Sequence, residues 1–136
     1  MESVEEEREL KNEDELFCEN HFKNTFSRDK TCHYVVDIPF KEDPSKLGAS
    51  RETAWRRLNA LWHRLYGNPQ LCSLYQKFIQ EYEQLGHMTK VEEDIEPDTT
   101  YYIPHHGVYR PEKRTKLRVV FNASCPTSNG RFLNSL

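Results

Sequence analysis

Five cationic side chains lie within nine positions near the end of the chain: Arg110, Lys113, Arg114, Lys116 and Arg118. Arginine presents several N–H donors in a fixed planar fork that matches phosphate, and lysine adds a compact positive charge. Such cations supply most of the sequence-independent affinity of proteins for nucleic acid. This pattern indicates phosphate binding, with a solvated surface turn as the alternative.

The elements that must hold these cations are two short strands. Residues 101–110 and 116–121 are rich in β-branched and aromatic side chains, and they flank the turn-like sequence PEKRT. We therefore predict a β-hairpin over residues 101–121 with a cationic tip. His105 and His106 are adjacent in the first strand, so they face opposite sides and one of them packs inward.

Three tyrosines accompany the cations in this hairpin: Tyr101, Tyr102 and Tyr109. Aromatic rings can stack on the bases of a single strand with little dependence on sequence. Packing of these rings on the helices that precede the hairpin is the favoured interpretation, and base stacking is the alternative.

Two amphipathic helices are predicted within residues 50–90. Apolar side chains recur at three- and four-residue steps between 55 and 65 and again between 71 and 85. Because the link between them is so short, the helices should fold back as an antiparallel αα-hairpin. Trp55 and Trp62 are assigned to its core.

Residues with known capping preferences mark the ends of both helices. Ser50 is expected as the N-cap of the first helix, and Gly67 is expected to end it in the left-handed conformation. Asn68 followed by Pro69 is typical of a helix start, and Gly86 is expected to close the second helix.

Charge is distributed unevenly along the chain. Residues 1–20 contain nine acidic and two basic residues, whereas residues 105–131 contain six basic and one acidic residue. This asymmetry indicates a basic end that faces a polyanion and a solvated acidic tail. Residues 1–30 are predicted to be partly disordered or marginally helical, because like charges oppose compaction. Residues 31–49 are predicted to form a short strand and a linking loop, with Pro39 limiting the strand.

Composition and spacing argue against several classes of protein. The 136-residue chain has room for about one small domain, has no apolar run that could span a membrane, and has no apolar signal-peptide region.

Its four cysteines form no C-x-x-C pair and are interpreted as reduced thiols of a cytoplasmic protein. Adjacent Cys32 and His33 cannot easily reach one tetrahedral zinc ion, so no metal site is predicted. Neither a nucleophile elbow nor a P-loop is present, and no catalytic residue is predicted.

Several sequence blocks also occur in a distinctive order: LFCENHF (16–22), YVVDIPFK (34–41), LGASRETA (47–54), YYIPHHGVYR (101–110) and KLRVVFNAS (116–124). In this order they resemble BEL/Pao-type retrotransposon Pol polyproteins. The matching region lies between the aspartic protease and the reverse transcriptase and includes the opening hairpin of the polymerase fingers. The family usually has Asp where this chain has Asn122.

The predicted fold class is α+β. An acidic N-terminal segment, a short strand and the antiparallel αα-hairpin precede a β-hairpin, which the resemblance identifies with an incomplete polymerase fingers subdomain over residues 91–136. For the complete polyprotein the resemblance implies RNA-directed DNA synthesis with magnesium, an RNA or DNA template-primer and deoxynucleotides. It also implies contacts with the rest of the polyprotein, no membrane association, and an intracellular, virus-like-particle setting.

The resemblance gives the cations a specific role. Lys116 and Arg118 match basic positions beside the family's strand, and they are the first candidates for binding triphosphate or template phosphates. Arg110, Lys113 and Arg114 are the further candidates. The family's catalytic aspartates would lie beyond residue 136, so the chain alone is expected to be inactive. The alternative is a non-catalytic, domesticated module that binds nucleic acid or protein.

Overall fold

A computed structural model describes residues 12–92, 97 and 99–136. Three α-helices and two small antiparallel hairpins in these ranges confirm the predicted α+β class. The chain divides into two compact units, Met1–Lys41 and Glu42–Leu136. The sequence-based divisions after residues 30, 49 and 90 stay predictions, as does the assignment to polymerase fingers. None of the described helices is long and apolar enough to cross a membrane.

The first unit contains helix α1 (Glu13–Thr25) and a two-stranded hairpin of β1 (Ser27–Arg28) and β2 (Tyr34–Val35). A capping box starts the helix, because the Asn12 side chain accepts the Glu15 N–H at 2.8 Å and the Glu15 carboxylate accepts the Asn12 N–H at 3.0 Å. None of the described residues of this unit is buried.

The N-terminal predictions overlap this unit only in part. Partial disorder or a marginal helix is predicted for residues 1–30, of which residues 1–11 lie outside the described part. From Glu13 onward the chain is helical. The short strand predicted after residue 31 contains only Tyr34–Val35, because its partner strand offers just two residues for pairing.

In the second unit, helices α2 (Arg51–Tyr66) and α3 (Pro69–Gln84) confirm the two predicted helices and their two-residue link. Asn68 caps α3 as expected, since its side-chain oxygen accepts the Leu71 N–H at 3.2 Å. The core of this unit lies near the linked ends of the helices. Its buried members are Leu61, Leu65, Tyr75 and Leu117.

Three details of the helical prediction are wrong. Ser50 occupies the predicted N-cap position of α2, but the expected side-chain cap is absent, because its hydroxyl accepts the distant Tyr102 N–H at 2.9 Å. Gly67 has φ −77° and is right-handed, because the Asn68 N–H bonds the Leu65 carbonyl and continues the turn. Trp55 is 61% exposed, since it lies about three turns from the link where the helices meet. Trp62 is half-buried against the core.

The predicted hairpin forms from β3 (His105–Tyr109) and β4 (Leu117–Phe121), which are shorter than expected. His105 pairs with Phe121 and Tyr109 pairs with Leu117 at the two ends of the antiparallel register. Residues before β3 leave the hairpin because Pro104 has no N–H to donate to a ladder.

Residues 122–136, which follow β4, pack closely on the rest of the second unit. Thr127 and Cys125 are buried in it. The Thr127 hydroxyl accepts the Gly48 N–H at 3.1 Å, and the Ser128 N–H donates to the Ala49 carbonyl at 2.9 Å. These bonds fix the segment to the loop that leads into α2.

Candidate nucleic-acid interface

The hairpin register assigns its side chains to two faces. Leu117 is buried and Val119 packs against the core, so alternate residues of β4 face the helices. Arg118 lies between these two residues and is exposed on the opposite, outer face. Arg118 pairs with Val108 of β3 in the register. The next pair on this outer face is His106 with Val120.

Arg110 and Lys116 extend the outer face toward the tip. The Arg110 N–H donates to the Lys116 carbonyl at 2.7 Å, so these residues close the hairpin. Continued alternation places both side chains on the same face as Arg118. Three of the five predicted cations therefore share one face, which the sequence alone did not establish.

Lys113 and Arg114 occupy the loop at the tip. The Lys113 N–H donates to the Arg110 carbonyl at 3.1 Å, which tightens this loop. All five cations are exposed, and in the described ranges none takes part in an ion pair. Their charges are therefore directed to solvent and to any ligand that approaches the tip.

The base of the hairpin is fixed by its contacts with α3. Tyr75 is 1% exposed, and its hydroxyl hydrogen-bonds Nδ1 of His105. The Tyr82 ring stacks on Phe121 with their centroids 5.6 Å apart. His105 is half-buried and His106 is exposed, which confirms that one histidine of the pair packs inward.

Burial sets the protonation of the Tyr75–His105 pair. It raises the pKa of Tyr75 to about 12, against a smaller opposing effect of the Arg64 charge. Burial also lowers the pKa of His105, and the neighbouring His106 lowers it further. His105 is therefore neutral at pH 7, and its Nδ1 shares a hydrogen bond with the Tyr75 hydroxyl.

The other aromatic residues of the predicted hairpin have structural contacts. The Tyr101 hydroxyl donates to the Cys125 carbonyl at 2.7 Å, so Tyr101 holds the C-terminal segment. The register places Tyr109 on the face that packs on the helices. Within the described residues, the contacts of Tyr101 and Tyr109 are with the protein itself and do not indicate base stacking.

Two further cations, Arg57 and Arg64, were missed by the sequence analysis. Both line a cavity of about 430 Å³ together with His106 and Asn122. Their seven-residue spacing places them on one face of α2, two turns apart. That spacing was visible in the sequence, but the approach of α2 to β3 was not.

Polymerase chemistry requires carboxylates that hold two divalent metal ions. Residues 12–92, 97 and 99–136 contain no cluster of three His, Cys, Asp or Glu side chains that could hold one ion. The described residues therefore do not fit the magnesium centre that the resemblance implies. No protein-family model, curated protein or solved structure matches the chain.

Proposed function

We propose that the chain is part of a BEL/Pao-type retrotransposon polyprotein, and that its second hairpin binds phosphates of the template or of the incoming nucleotide in the reverse-transcriptase fingers. The sequence blocks at 101–110 and 116–124 support the family assignment. The shared outer face of Arg110, Lys116 and Arg118 carries the phosphate-binding role.

A hairpin with one packed face and one cationic face suits this role. The contacts of Tyr75 with His105 and of Tyr82 with Phe121 hold the strands, so binding need not order the backbone. Lys116 and Arg118 lie about 7 Å apart along the strand.

In the complete polyprotein the reaction would be RNA-directed DNA synthesis. Magnesium would be held by carboxylates from other parts of the polyprotein, and the hairpin would position template, primer or deoxynucleotide.

The isolated chain is expected to give no primer extension. Extension that survives controls for contaminating polymerase would contradict this expectation. A polymerase sequence encoded directly downstream would distinguish the family assignment from a domesticated, non-catalytic binding module.

Fluorescence anisotropy with a labelled, primed RNA template tests the proposed face. The chain should bind with an affinity that falls steeply as salt rises, by about 0.7 to 0.9 logarithmic units per phosphate contact and per tenfold change in salt. Lys116→Ala/Arg118→Ala should weaken binding and reduce the salt slope by about 1.4 to 1.8.

Arg56→Ala/Lys77→Ala is the matched control, because it removes two exposed charges from α2 and α3 instead of the hairpin. It should retain most of the affinity and nearly all of the salt slope. Equal losses in both double variants would leave only a general effect of net charge and would overturn the assignment of this face.

A further inference from the structure

The cavity beside β3 combines an apolar floor with a cationic rim. It has a volume of about 430 Å³, and its lining includes Leu61, Leu65 and Pro104. Ala60, which is exposed, and Leu71, which is half-buried, also line the cavity and present apolar surface to a ligand. Arg57 and Arg64 also line the cavity and are exposed, so they can reach a ligand from solvent.

The charges around this cavity are unbalanced. Neither Arg57 nor Arg64 takes part in an ion pair within the described ranges. No aspartate or glutamate is among the described residues that line the cavity. The Arg64 charge is also close enough to the Tyr75 hydroxyl to influence it. An anion in the cavity would therefore meet positive charge without a competing carboxylate.

The size and lining restrict the kind of anion. Small-molecule sites commonly enclose about 300–1,000 Å³ and combine apolar walls with a few polar groups that fix orientation. Arginine binds phosphate through paired, charge-assisted hydrogen bonds. An apolar floor below two arginines suits a ligand with a flat, weakly polar body and a phosphate group.

We propose that this cavity binds a nucleotide, with its base against Ala60 and Leu71 and its phosphate between Arg57 and Arg64. The nucleotide can be free or can be one unit of a nucleic-acid strand, because both present the same chemistry. This site uses arginines of α2, so variants of these arginines test it independently of the cationic face of the hairpin.

Asn122 provides an independent probe of the electrostatics. It lines the cavity, and its side-chain oxygen accepts the Ser124 N–H at 3.1 Å. Aspartate has the same shape and can accept the same hydrogen bond. Asn122→Asp should therefore keep the local turn while placing a negative charge opposite Arg57 and Arg64. Nucleotide affinity should fall severalfold in this variant.

Calorimetric titration with adenosine monophosphate, adenosine and a single-stranded oligoadenylate tests the site. The monophosphate should bind at least about tenfold more tightly than adenosine. Arg57→Ala and Arg64→Ala should each weaken its binding about tenfold or more. If Arg57→Ala and Arg64→Ala weaken binding of the oligoadenylate but not of the monophosphate, the bound nucleotide is a unit of a nucleic-acid strand.

Two controls keep the outcome specific. Arg56→Ala removes a charge from the same helix, but Arg56 does not line the cavity, so monophosphate binding should be unchanged. Circular dichroism checks folding, which these exposed helical substitutions to alanine should preserve. Arg57→Ala and Arg64→Ala variants that fold and bind both ligands normally would overturn the proposal.

Discussion

The Tyr75 hydroxyl of α3 hydrogen-bonds Nδ1 of His105 in β3, and this contact joins the helical pair to the hairpin. Thirty residues separate the two partners along the chain. Tyr75 is also part of the core formed with Leu61, Leu65 and Leu117. One side chain thus fills the core with its ring and positions the cationic hairpin with its hydroxyl.

Tyr75→Phe should lower the free energy of unfolding by about 1 kcal/mol, because it removes one hydrogen bond and keeps the packed ring. Urea titration followed by tryptophan fluorescence is the suitable measurement, since both tryptophans, Trp55 and Trp62, lie in the second unit. A double-mutant cycle with His105→Gln should give a coupling energy clearly above zero. Fully additive effects would mean that the hydrogen bond contributes nothing.

Stability should decrease as the pH falls below about 6.5, because the pKa of His105 is lowered in the folded protein by burial and by His106. The unfolded chain then binds a proton that the folded chain resists. Urea unfolding at pH 7.5 and pH 5.5 measures this difference. His105→Gln should reduce the pH dependence, whereas His63→Gln, on the exposed side of α2, should retain it. An equal dependence in all three proteins would exclude His105 as its source.

The helices could be predicted because their signals are local. Leu61 and Leu65 follow the helical period, and Asn68 forms the cap that its position indicates. The errors occur where a distant segment competes with a local preference. The Ser50 hydroxyl accepts the Tyr102 N–H instead of an N–H of the first turn of α2, and the Gly48 N–H donates to Thr127, 79 residues away.

The candidate site was predictable in composition more than in arrangement. The sequence shows the five cations between residues 110 and 118, but only the packing of Leu117 and Val119 on the helices assigns Arg118 to the outer face. Arg57 and Arg64 required the position of α2 beside β3. That position depends on packing around Tyr75, which no local periodicity describes.

Gly107→Ala should destabilise the second unit by about 1–3 kcal/mol, because the added methyl group would crowd two buried side chains. A Cβ at Gly107 would lie 2.8 Å from Leu117 Cδ1 and 3.2 Å from Tyr75 Cε2. Both of these side chains are buried, so neither can move away freely. Urea unfolding monitored by tryptophan fluorescence provides the measurement. Unchanged stability would show that β3 does not approach Tyr75 this closely.

Gly67→Ala should have the opposite effect and stabilise the protein by about 0.4–1 kcal/mol, because alanine restricts the unfolded chain more than glycine does. Gly67 is right-handed with φ −77°, and the nearest atom to an added Cβ is the Arg64 carbonyl oxygen at 3.6 Å. The left-handed conformation expected from the sequence would make the same substitution destabilising. Thermal or urea unfolding of this variant therefore distinguishes the two conformations.

Thr127→Val should destabilise the second unit by about 1–3 kcal/mol, because it leaves the Gly48 N–H without its acceptor. The Thr127 side chain is 6% exposed, so water cannot readily replace the hydroxyl. Thr127→Ser is the matched control, since it keeps the hydroxyl and removes only a methyl group. Urea unfolding should rank the proteins with the native chain most stable, the serine variant close to it and the valine variant lowest. If serine is as destabilising as valine, methyl packing holds the C-terminal segment and the hydrogen bond to Gly48 does not.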